Sequence, residues 1–341
     1  MSFEKSDILK ALSYVDDPDL RKDLVTLNMI QNVVLDENVV SFDLVLTTPA
    51  CPMKESIANA CRTAIATMVD KNLKVDINIT SNTQQSRGNN DVLSGVKNII
   101  AIASGKGGVG KSTVAINIAK TLNAAGAKVG LLDADIHGPS IPVLLHTQNQ
   151  KPAMDGTKMV PILVDGMQTM SIGYLVEPKQ ALVWRGPMLA KAISQFCTDV
   201  AWDALDYLIV DLPPGTGDAH LSIMQHIPLS GVVIVTTPEE VALADTRKAI
   251  DMFNNPHIKQ EILGVIENMS FFQPIENGDK YYIFGKEGGK RLSEENNVDL
   301  LAELPILEDK SFINQKPHYQ KAVSALVQKL AVIAANRQKI D

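Results

Sequence analysis

The feature that most constrains the fold is a glycine-rich turn between a short apolar run and a helix-like run. Residues 99–103 indicate a buried strand, and the apolar spacing from residue 114 to 122 indicates a helix that begins near Ser112. Between them, residues 105–112 match the phosphate-binding pattern G-x-x-x-x-G-K-[ST]. Glycines let successive backbone N–H groups point at an anion, and the helix N-terminus adds positive charge. The segment therefore predicts a nucleotide phosphate site rather than an ordinary glycine-rich turn.

The side chains of this loop have separate predicted tasks. Lys111 can reach the β- and γ-phosphates, and the hydroxyl of Ser112 can ligate Mg²⁺. Lys106 is an additional cation directly after the first glycine, at a position where the general pattern is indifferent. We expect the nucleotide contacts to come from the whole run, namely Gly105, Lys106, Gly107, Gly108, Val109, Gly110, Lys111, Ser112 and Thr113.

Length and charge limit the class of protein. The 341 residues are enough for two domains, and the net charge of −7 argues against a bulk nucleic-acid binder. No apolar run approaches the roughly 18–20 residues of a membrane helix. The N-terminus lacks the form of a signal peptide, and three cysteines are too few for a disulfide framework. We therefore expect a cytoplasmic protein that binds neither nucleic acid nor membrane.

Two domains are expected on either side of a polar linker. Residues 1–82 predict a small α+β domain with a first helix, capped by Ser6 or Asp7, that runs to about Val15. The same domain is expected to hold strands at 32–35, 38–46 and 74–80, and a helix from about 52 to 70. Residues 83–95 are assigned to the linker, and residues 96–341 to an ATPase domain.

The second domain alternates short apolar runs with helices. This pattern predicts an α/β fold with a mostly parallel, doubly wound sheet that is covered by helices on both faces. The expected strands, besides that of the loop, are 128–132, 167–172, 207–210, 231–236 and 262–266. Ligands of such sheets bind beyond the carboxyl ends of the strands. An apolar stripe from Tyr319 onward predicts a last helix that packs on the sheet.

Acidic residues follow two of these strands. Asp211 ends an apolar strand, as a Mg²⁺-binding carboxylate of the Walker B kind should. Asp135 is the candidate for orienting an attacking water, with Asp133 closer to the metal shell, and Gly215 is placed to offer its N–H to a γ-phosphate. The alternative for a strand-end aspartate is a helix cap or a turn former.

The three cysteines have different predicted environments. Cys51 precedes Pro52 at the start of a predicted helix, where the helix N-terminus lowers a thiol pKa. It is therefore either a reactive thiol or metal ligand, or simply a small buried residue. Cys61 and Cys197 lie on predicted helices and are expected in the core.

Several motifs in order resemble a known family. The loop at 105–112 resembles the deviant Walker A loop of the septum-site, plasmid-partition, arsenite-pump and nitrogenase-reductase ATPases. The segments that resemble the Mrp-type (ApbC-like) iron–sulfur cluster carriers specifically are 133–140, 184–188, 211–218 and 267–270. The first domain resembles the iron–sulfur assembly domain often fused to such ATPases, through Asp17-Pro18 and residues 48–52.

The resemblance implies a homodimer that binds ATP and Mg²⁺ between its subunits and transfers a [4Fe-4S] cluster to apo-proteins. Lys106 would reach the partner's nucleotide, and Asn268 would face the adenine. By the same resemblance, Lys111 would hold phosphates, Ser112 and Asp211 would hold Mg²⁺, and Asp135 would hold the water.

One segment departs from the family's pattern. The family's Cys-x-x-Cys lies shortly after the segment that matches 267–270, but residues 270–285 contain neither cysteine nor histidine. A cluster needs about four sulfur ligands, and Cys51 is the remaining candidate contact. Three functions stay open: an ATPase that carries or assembles clusters, a nucleotide-dependent scaffold or chaperone in metal-cofactor maturation that holds no cluster, and a membrane- or DNA-positioning ATPase.

Overall fold

The computed structural model divides the chain into two compact units, Met1–Gln84 and Gln85–Asp341. Each unit has its own hydrophobic core, and the two units are described separately below. The residues that the structure describes are 4–17, 22–36, 38–46, 53–81, 92–176, 186–256, 258–274, 278–306 and 317–337.

The first unit is an α+β domain, as the sequence predicts. A three-stranded sheet has the order β3-β4-β5, in which β3 and β4 form an antiparallel hairpin and β4 and β5 are parallel. Alternate residues of β4 are buried, which is the pattern of a sheet with one covered face. The elements of this unit are α1 (Lys5–Leu12), β1 (Asp16–Asp17), β2 (Lys22–Asp23), β3 (Ile30–Asp36), β4 (Val39–Leu46), α2 (Lys54–Met68) and β5 (Lys74–Ser81).

The predicted cap of the first helix is wrong. The N-cap is Glu4, and Asp7 accepts the backbone N–H of Glu4 at 3.0 Å as the acidic member of a capping box. An acidic residue three positions into a helix is suited to this reciprocal bond, so Asp7 lies inside the helix instead of capping it. The helix also ends at Leu12, three residues before the predicted end at Val15.

The second unit is built on an eight-stranded sheet with the order β10-β11-β7-β12-β6-β13-β14-β15. All neighbouring strands are parallel except the edge pair β10 and β11. The strands of this unit are β6 (Val96–Ala103), β7 (Val129–Asp133), β8 (Met154–Asp155), β9 (Lys158–Met159), β10 (Ile162–Val164), β11 (Met167–Ser171), β12 (Leu205–Asp211), β13 (Gly231–Thr236), β14 (Ile262–Glu267) and β15 (Leu300–Glu303).

Helices alternate with these strands, which confirms the predicted α/β class. They are α3 (Lys111–Ala124), α4 (Ile141–Leu144), α5 (Gly186–Thr198), α6 (Asp218–His226), α7 (Glu240–Asn254), α8 (Gly288–Asn296) and α9 (Pro317–Arg337). The last helix, α9, packs against α3 and β15, so its apolar stripe is part of the core as expected. Among the described residues, none of the helices combines the length and apolar character needed to cross a bilayer.

The sheet register brings three strand ends together. Asp211 at the end of β12 pairs with Ile102 of β6 on one side and with Asp133 of β7 on the other. The glycine-rich loop that follows β6 therefore lies beside both acidic strand ends. Every residue of β7, β12 and β13 is buried, which explains their continuous apolar sequences.

Both described cysteines are core residues, as the sequence predicts. Cys61 is fully buried in the core of the first unit, and Cys197 is buried in that of the second. Burial raises the pKa of the Cys61 thiol to about 12, against a small opposing effect of Arg62. Cys51 lies outside the described residues.

We therefore expect Cys61 to resist alkylation in the native protein. At pH 8 a thiol whose pKa is about 12 is ionised in roughly one molecule in ten thousand, and it is also inaccessible. Mass spectrometry after treatment with iodoacetamide should find Cys61 unmodified in buffer and modified after unfolding in guanidinium. Labelling of native Cys61 at the rate of an exposed thiol would contradict its placement in the core.

Candidate functional site

A cavity of about 560 Å³ opens at the carboxyl ends of the central strands of the second unit. Its wall includes Lys106, Gly107, Gly108, Gly110, Lys111, Ser112 and Thr113 from the loop and the start of α3. Opposite segments contribute Asp135, Pro139, Ser140, Val143, Leu144, Pro214, Asn268, Met269, Pro305, Ile306 and Tyr319. The volume lies within the range typical of small-ligand pockets.

The loop needs its glycines for two different reasons. Gly108 and Gly110 have φ angles of 86° and 85°, which L side chains rarely adopt. At Gly105 the reason is close packing, because an added Cβ would lie 2.3 Å from backbone atoms of Asp245 on α7. Gly105 thus lies behind the loop, against α7. Val109 is also buried, and its carbonyl accepts a hydrogen bond from the side chain of Asn268 at 2.8 Å.

A buried ion pair lies at the start of α3. Lys111 Nζ is 2.6 Å from Oδ1 of Asp211, and the two side chains are only 6% and 0% exposed. Burial raises the pKa of Asp211, whereas Lys111 and the neighbouring hydroxyl of Ser112 lower it. The second oxygen, Oδ2, is buried and has no hydrogen-bond partner among the described residues.

The unpartnered oxygen of Asp211 fits a hard cation. Mg²⁺ is held by carboxylate and hydroxyl oxygens together with phosphates and water. Ser112 Oγ lies 3.5 Å from Lys111 Nζ, next to the ion pair. The sequence-predicted pair of Mg²⁺ ligands, Ser112 and Asp211, is therefore brought together.

Asp133 is fully bonded to the protein. Its carboxylate accepts the N–H groups of Asp135 and Ile141, each at 3.2 Å, and the hydroxyl of Ser171 at 3.0 Å. Burial and the neighbouring Asp211 raise the pKa of Asp133 to about 8. Asp133 thus holds the loop that carries Asp135, and Asp211 rather than Asp133 has the unpartnered oxygen. No sequence motif pointed to Ser171, because its partner lies on a neighbouring strand.

Asp135, the sequence-predicted residue for orienting the attacking water, lies in the cavity wall. It is 9% exposed, and its Oδ1 accepts the N–H of Gly138 at 3.1 Å. Its carboxylate is therefore held in place by its own loop.

The 267–270 segment is fixed by a buried carboxylate. Glu267 accepts hydrogen bonds from Ser270 Oγ and from the backbone N–H of Gly289 at the start of α8. Asn268, the predicted adenine contact, lines the cavity and uses Nδ2 to bond the carbonyl of Val109. Tyr319, which sequence reasoning did not single out, closes the same region and accepts a hydrogen bond from Asn117 of α3 at 3.1 Å.

Gly215 and Lys106, two further residues predicted to contact the nucleotide, differ in their surroundings. The backbone N–H of Gly215, expected to contact a γ-phosphate, instead donates to the carbonyl of Ser104 at 2.9 Å. Gly215 itself has a φ of 94°, so the loop turns sharply there. Lys106 lies in the cavity wall and makes no ion pair with any described residue.

The segment that departs from the family's pattern forms a small aromatic cluster. Lys280 Nζ lies 3.9 Å above the ring of Phe271, and Tyr282 packs edge-on against the same ring. Tyr281 and Ile283 are exposed. Within the described part of the chain, no group of three or more histidine, cysteine, aspartate or glutamate side chains could hold a metal ion.

The family described as NUBPL iron-transfer P-loop NTPase (ParA) matches residues 95–336. The chain belongs to this family. A second family, described as iron-sulfur cluster assembly protein, matches residues 5–82. The predicted resemblance to iron–sulfur ATPases with an assembly domain is therefore confirmed for both parts of the chain.

The names of similar proteins support the same assignment. An iron-sulfur cluster carrier protein of Synechocystis sp. is 47% identical over 88% of this chain and 86% of its own length. The iron-sulfur cluster carrier protein of Escherichia coli (strain K12) is 42% identical over 85% of this chain and 78% of its own. The solved structure of an Archaeoglobus fulgidus nucleotide-binding protein in complex with ADP is 38% identical, covers 70% of this chain and 89% of its own, and has a TM-score of 0.57.

The buried ion pair predicts a pH-dependent stability defect in Lys111→Ala. Removing one partner of a buried pair costs about 3–5 kcal/mol, because the remaining charge is uncompensated. Without Lys111 the pKa of Asp211, already raised by burial, rises further. When the pKa of a carboxyl group is higher in the folded than in the unfolded protein, the free energy of unfolding falls as pH rises above the ordinary aspartate pKa. The deficit relative to wild type should therefore be larger at pH 8 than at pH 5.

Urea unfolding followed by tryptophan fluorescence in buffer with EDTA measures this difference. Lys120→Ala is the matched control, since Lys120 lies on the same helix and pairs with an exposed Asp165 at 3.1 Å. The control should change the free energy of unfolding by less than about 1 kcal/mol at both pH values. An equal, pH-independent loss in the two variants would contradict the buried pair.

Proposed function

We propose that the chain binds ATP with Mg²⁺, hydrolyses it, and uses this cycle to deliver iron–sulfur clusters to apo-proteins. The observation that carries the nucleotide part is the buried Lys111–Asp211 pair, with its unpartnered carboxylate oxygen, beneath a phosphate-binding loop. Support for the iron–sulfur part comes from the family and from the names of the relatives. The proposed location is the cytoplasm, where thiols stay reduced.

The loop residues bind and neutralise the phosphates. Backbone N–H groups of the loop that follows Gly105 surround the phosphate chain, and Lys111 turns from Asp211 to the β- and γ-phosphates. Ser112 and Asp211 would hold Mg²⁺, which neutralises charge on the same phosphates. Asp211 thus keeps a compensating cation at every stage, which its complete burial requires.

Three further residues have proposed contacts. Asp135 orients the attacking water from its fixed position in the cavity wall. Asn268 uses Nδ2 to hold the loop, which leaves Oδ1 to accept a hydrogen bond from the adenine amino group. Gly215 transfers its N–H from Ser104 to the γ-phosphate, so that this loop senses whether ATP or ADP is bound.

Lys106 supports a homodimer. It lies in the cavity wall without an ion pair to any described residue, although the lysine of the general pattern, Lys111, is already present. A second cation at the nucleotide is explained if Lys106 contacts the nucleotide of a partner subunit. The active form would then be a dimer with two composite sites.

The positions of the cysteines favour a second function, that of a scaffold which holds no cluster. Residues 270–285 contain none, and both described cysteines are buried in separate cores. A nucleotide-dependent scaffold that assists apo-proteins or assembly factors without holding a cluster needs no thiolate site. Cys51 is the residue that separates the two proposals, because it is the remaining thiol that could contact a cluster or metal.

Complementation between inactive variants tests the composite site. Lys106→Ala and Asp135→Asn should each lower ATP turnover by at least about 100-fold. The first removes a cation that stabilises the transition state, and the second removes the carboxylate that orients the attacking water. Asp135→Asn keeps an oxygen for the N–H of Gly138. In mixed dimers one of the two sites has all groups intact, so subunit exchange should restore about a quarter of wild-type activity.

Each variant mixed with itself is the control and should stay inactive. A mixture that also stays inactive would show that Lys106 serves the nucleotide of its own subunit. Normal turnover by Lys106→Ala alone would remove Lys106 from catalysis.

Anaerobic reconstitution with iron and sulfide tests cluster carriage. The carrier proposal predicts about four irons per dimer and a brown, oxygen-sensitive protein. Cys51→Ala should abolish the uptake, whereas Cys61→Ala, at a buried core position, should leave it unchanged. Iron and sulfide analysis provides the readout. A wild-type protein that hydrolyses ATP but takes up no iron would contradict carriage and leave the scaffold function.

A further inference from the structure

His220 is a buried histidine whose ring makes no hydrogen bond to the described residues, close after the loop that is proposed to sense the γ-phosphate. It occupies the third position of α6, is 1% exposed, and packs edge-on against Phe253 of α7 with ring centroids 6.3 Å apart. Neither ring nitrogen has a hydrogen-bond partner among the described residues. An unsatisfied buried polar group destabilises the fold, and such groups are rare in native proteins. This conformation therefore retains a cost that another conformation could relieve.

The ring lies next to backbone carbonyls of the same loop. Burial lowers the pKa of His220, while the nearby carbonyls of Gly217 and Pro213 raise it without forming hydrogen bonds of normal geometry. The charged groups that face the ring are Lys111, which lowers the pKa, and Asp135, which raises it. Burial dominates, so the imidazole is neutral and carries one N–H donor.

The loop between these carbonyls is held by backbone hydrogen bonds on both sides. The N–H of Gly215 donates to Ser104, and the carbonyl of Gly217 already accepts the backbone N–H of His220 at 3.0 Å. Releasing Gly215 from Ser104 requires rotation of the backbone around Pro214. If the loop rotates in this way, the neighbouring carbonyls turn with it, including that of Pro213, which lies near the ring.

We propose that His220 is a positioning residue that holds residues 213–217 in their triphosphate-bound arrangement by donating its ring N–H to the carbonyl of Pro213. This inference rests on the proposed ATP-dependent function. In the arrangement seen here the ring is unpaired, and in the triphosphate-bound arrangement it is paired. The side chain therefore favours ATP over ADP without touching either nucleotide.

The expected effects of substitution differ from those of a purely structural residue. Replacing His220 with leucine removes an unpaired polar group from the nucleotide-free protein, so the melting temperature should not fall. The same change removes the donor that stabilises the triphosphate-bound loop. Affinity for ATP should fall while affinity for ADP is retained.

Calorimetry with Mg²⁺ and either ADP or a non-hydrolysable ATP analogue measures this discrimination. His220→Leu should bind ADP within twofold of wild type and the ATP analogue about tenfold more weakly. His220→Gln should recover most of the lost affinity, because its amide can donate to the same carbonyl. His226→Leu, the same change at the other end of α6, is the matched control and should alter neither affinity.

The outcomes separate this inference from the proposed function. If His220→Leu binds the ATP analogue as wild type does, or loses ADP affinity to the same extent, His220 does not position the loop. A lower melting temperature of nucleotide-free His220→Leu would likewise overturn the proposal, since the ring would then be needed for folding. A wild-type protein that neither binds nor hydrolyses ATP would instead overturn the proposed function itself.

Discussion

The second unit depends on one buried ion pair, between Lys111 and Asp211. The two residues are 100 positions apart in the chain, and they meet at 2.6 Å because β6 and β12 are neighbours in the sheet. Both charges are shielded from water, so neither is tolerable without the other or a substitute cation. The strand register, the loop conformation and the start of α3 must therefore all place Lys111 next to Asp211.

Some buried polar atoms in and around the site have no hydrogen-bond partner among the described residues. The ion pair uses only one oxygen of Asp211, and neither ring nitrogen of His220 has a hydrogen-bond partner among the described residues. In contrast, Asp133 has three protein donors and Glu267 has two. Fully bonded carboxylates hold the loops in place, and incompletely bonded groups are those for which we propose a nucleotide-dependent partner. The number of hydrogen bonds thus distinguishes the residues that hold the site in shape from those that we propose interact with the nucleotide or respond to it.

The nucleotide site and the cargo site differ in how completely the chain preserves the family's pattern. The loop, both acidic strand ends and the 267–270 segment converge on one cavity or its immediate support. Where the resemblance would place two thiolates, the chain instead packs Phe271, Lys280 and Tyr282 together. An aromatic cluster cannot replace sulfur ligands for an iron–sulfur cluster, and residues 270–285 contain no cysteine.

Local sequence was sufficient to predict the phosphate-binding loop, the α/β class, the strand ends that carry Asp135 and Asp211, and the packing of the last helix. These features follow from spacing, apolar runs and turn residues, which act over a few neighbouring positions. The helix cap at Glu4, the edge strand β10, the contact of Gly105 with α7, and the roles of Ser171 and His220 were not predictable. Each depends on which distant segments become neighbours or on competition between adjacent polar groups. The sequence alone thus predicted a phosphate-binding loop at one end of a mostly parallel sheet. Only the tertiary structure decided which buried carboxylate keeps an unpartnered oxygen, because that depends on the donors that the sheet register brings within reach.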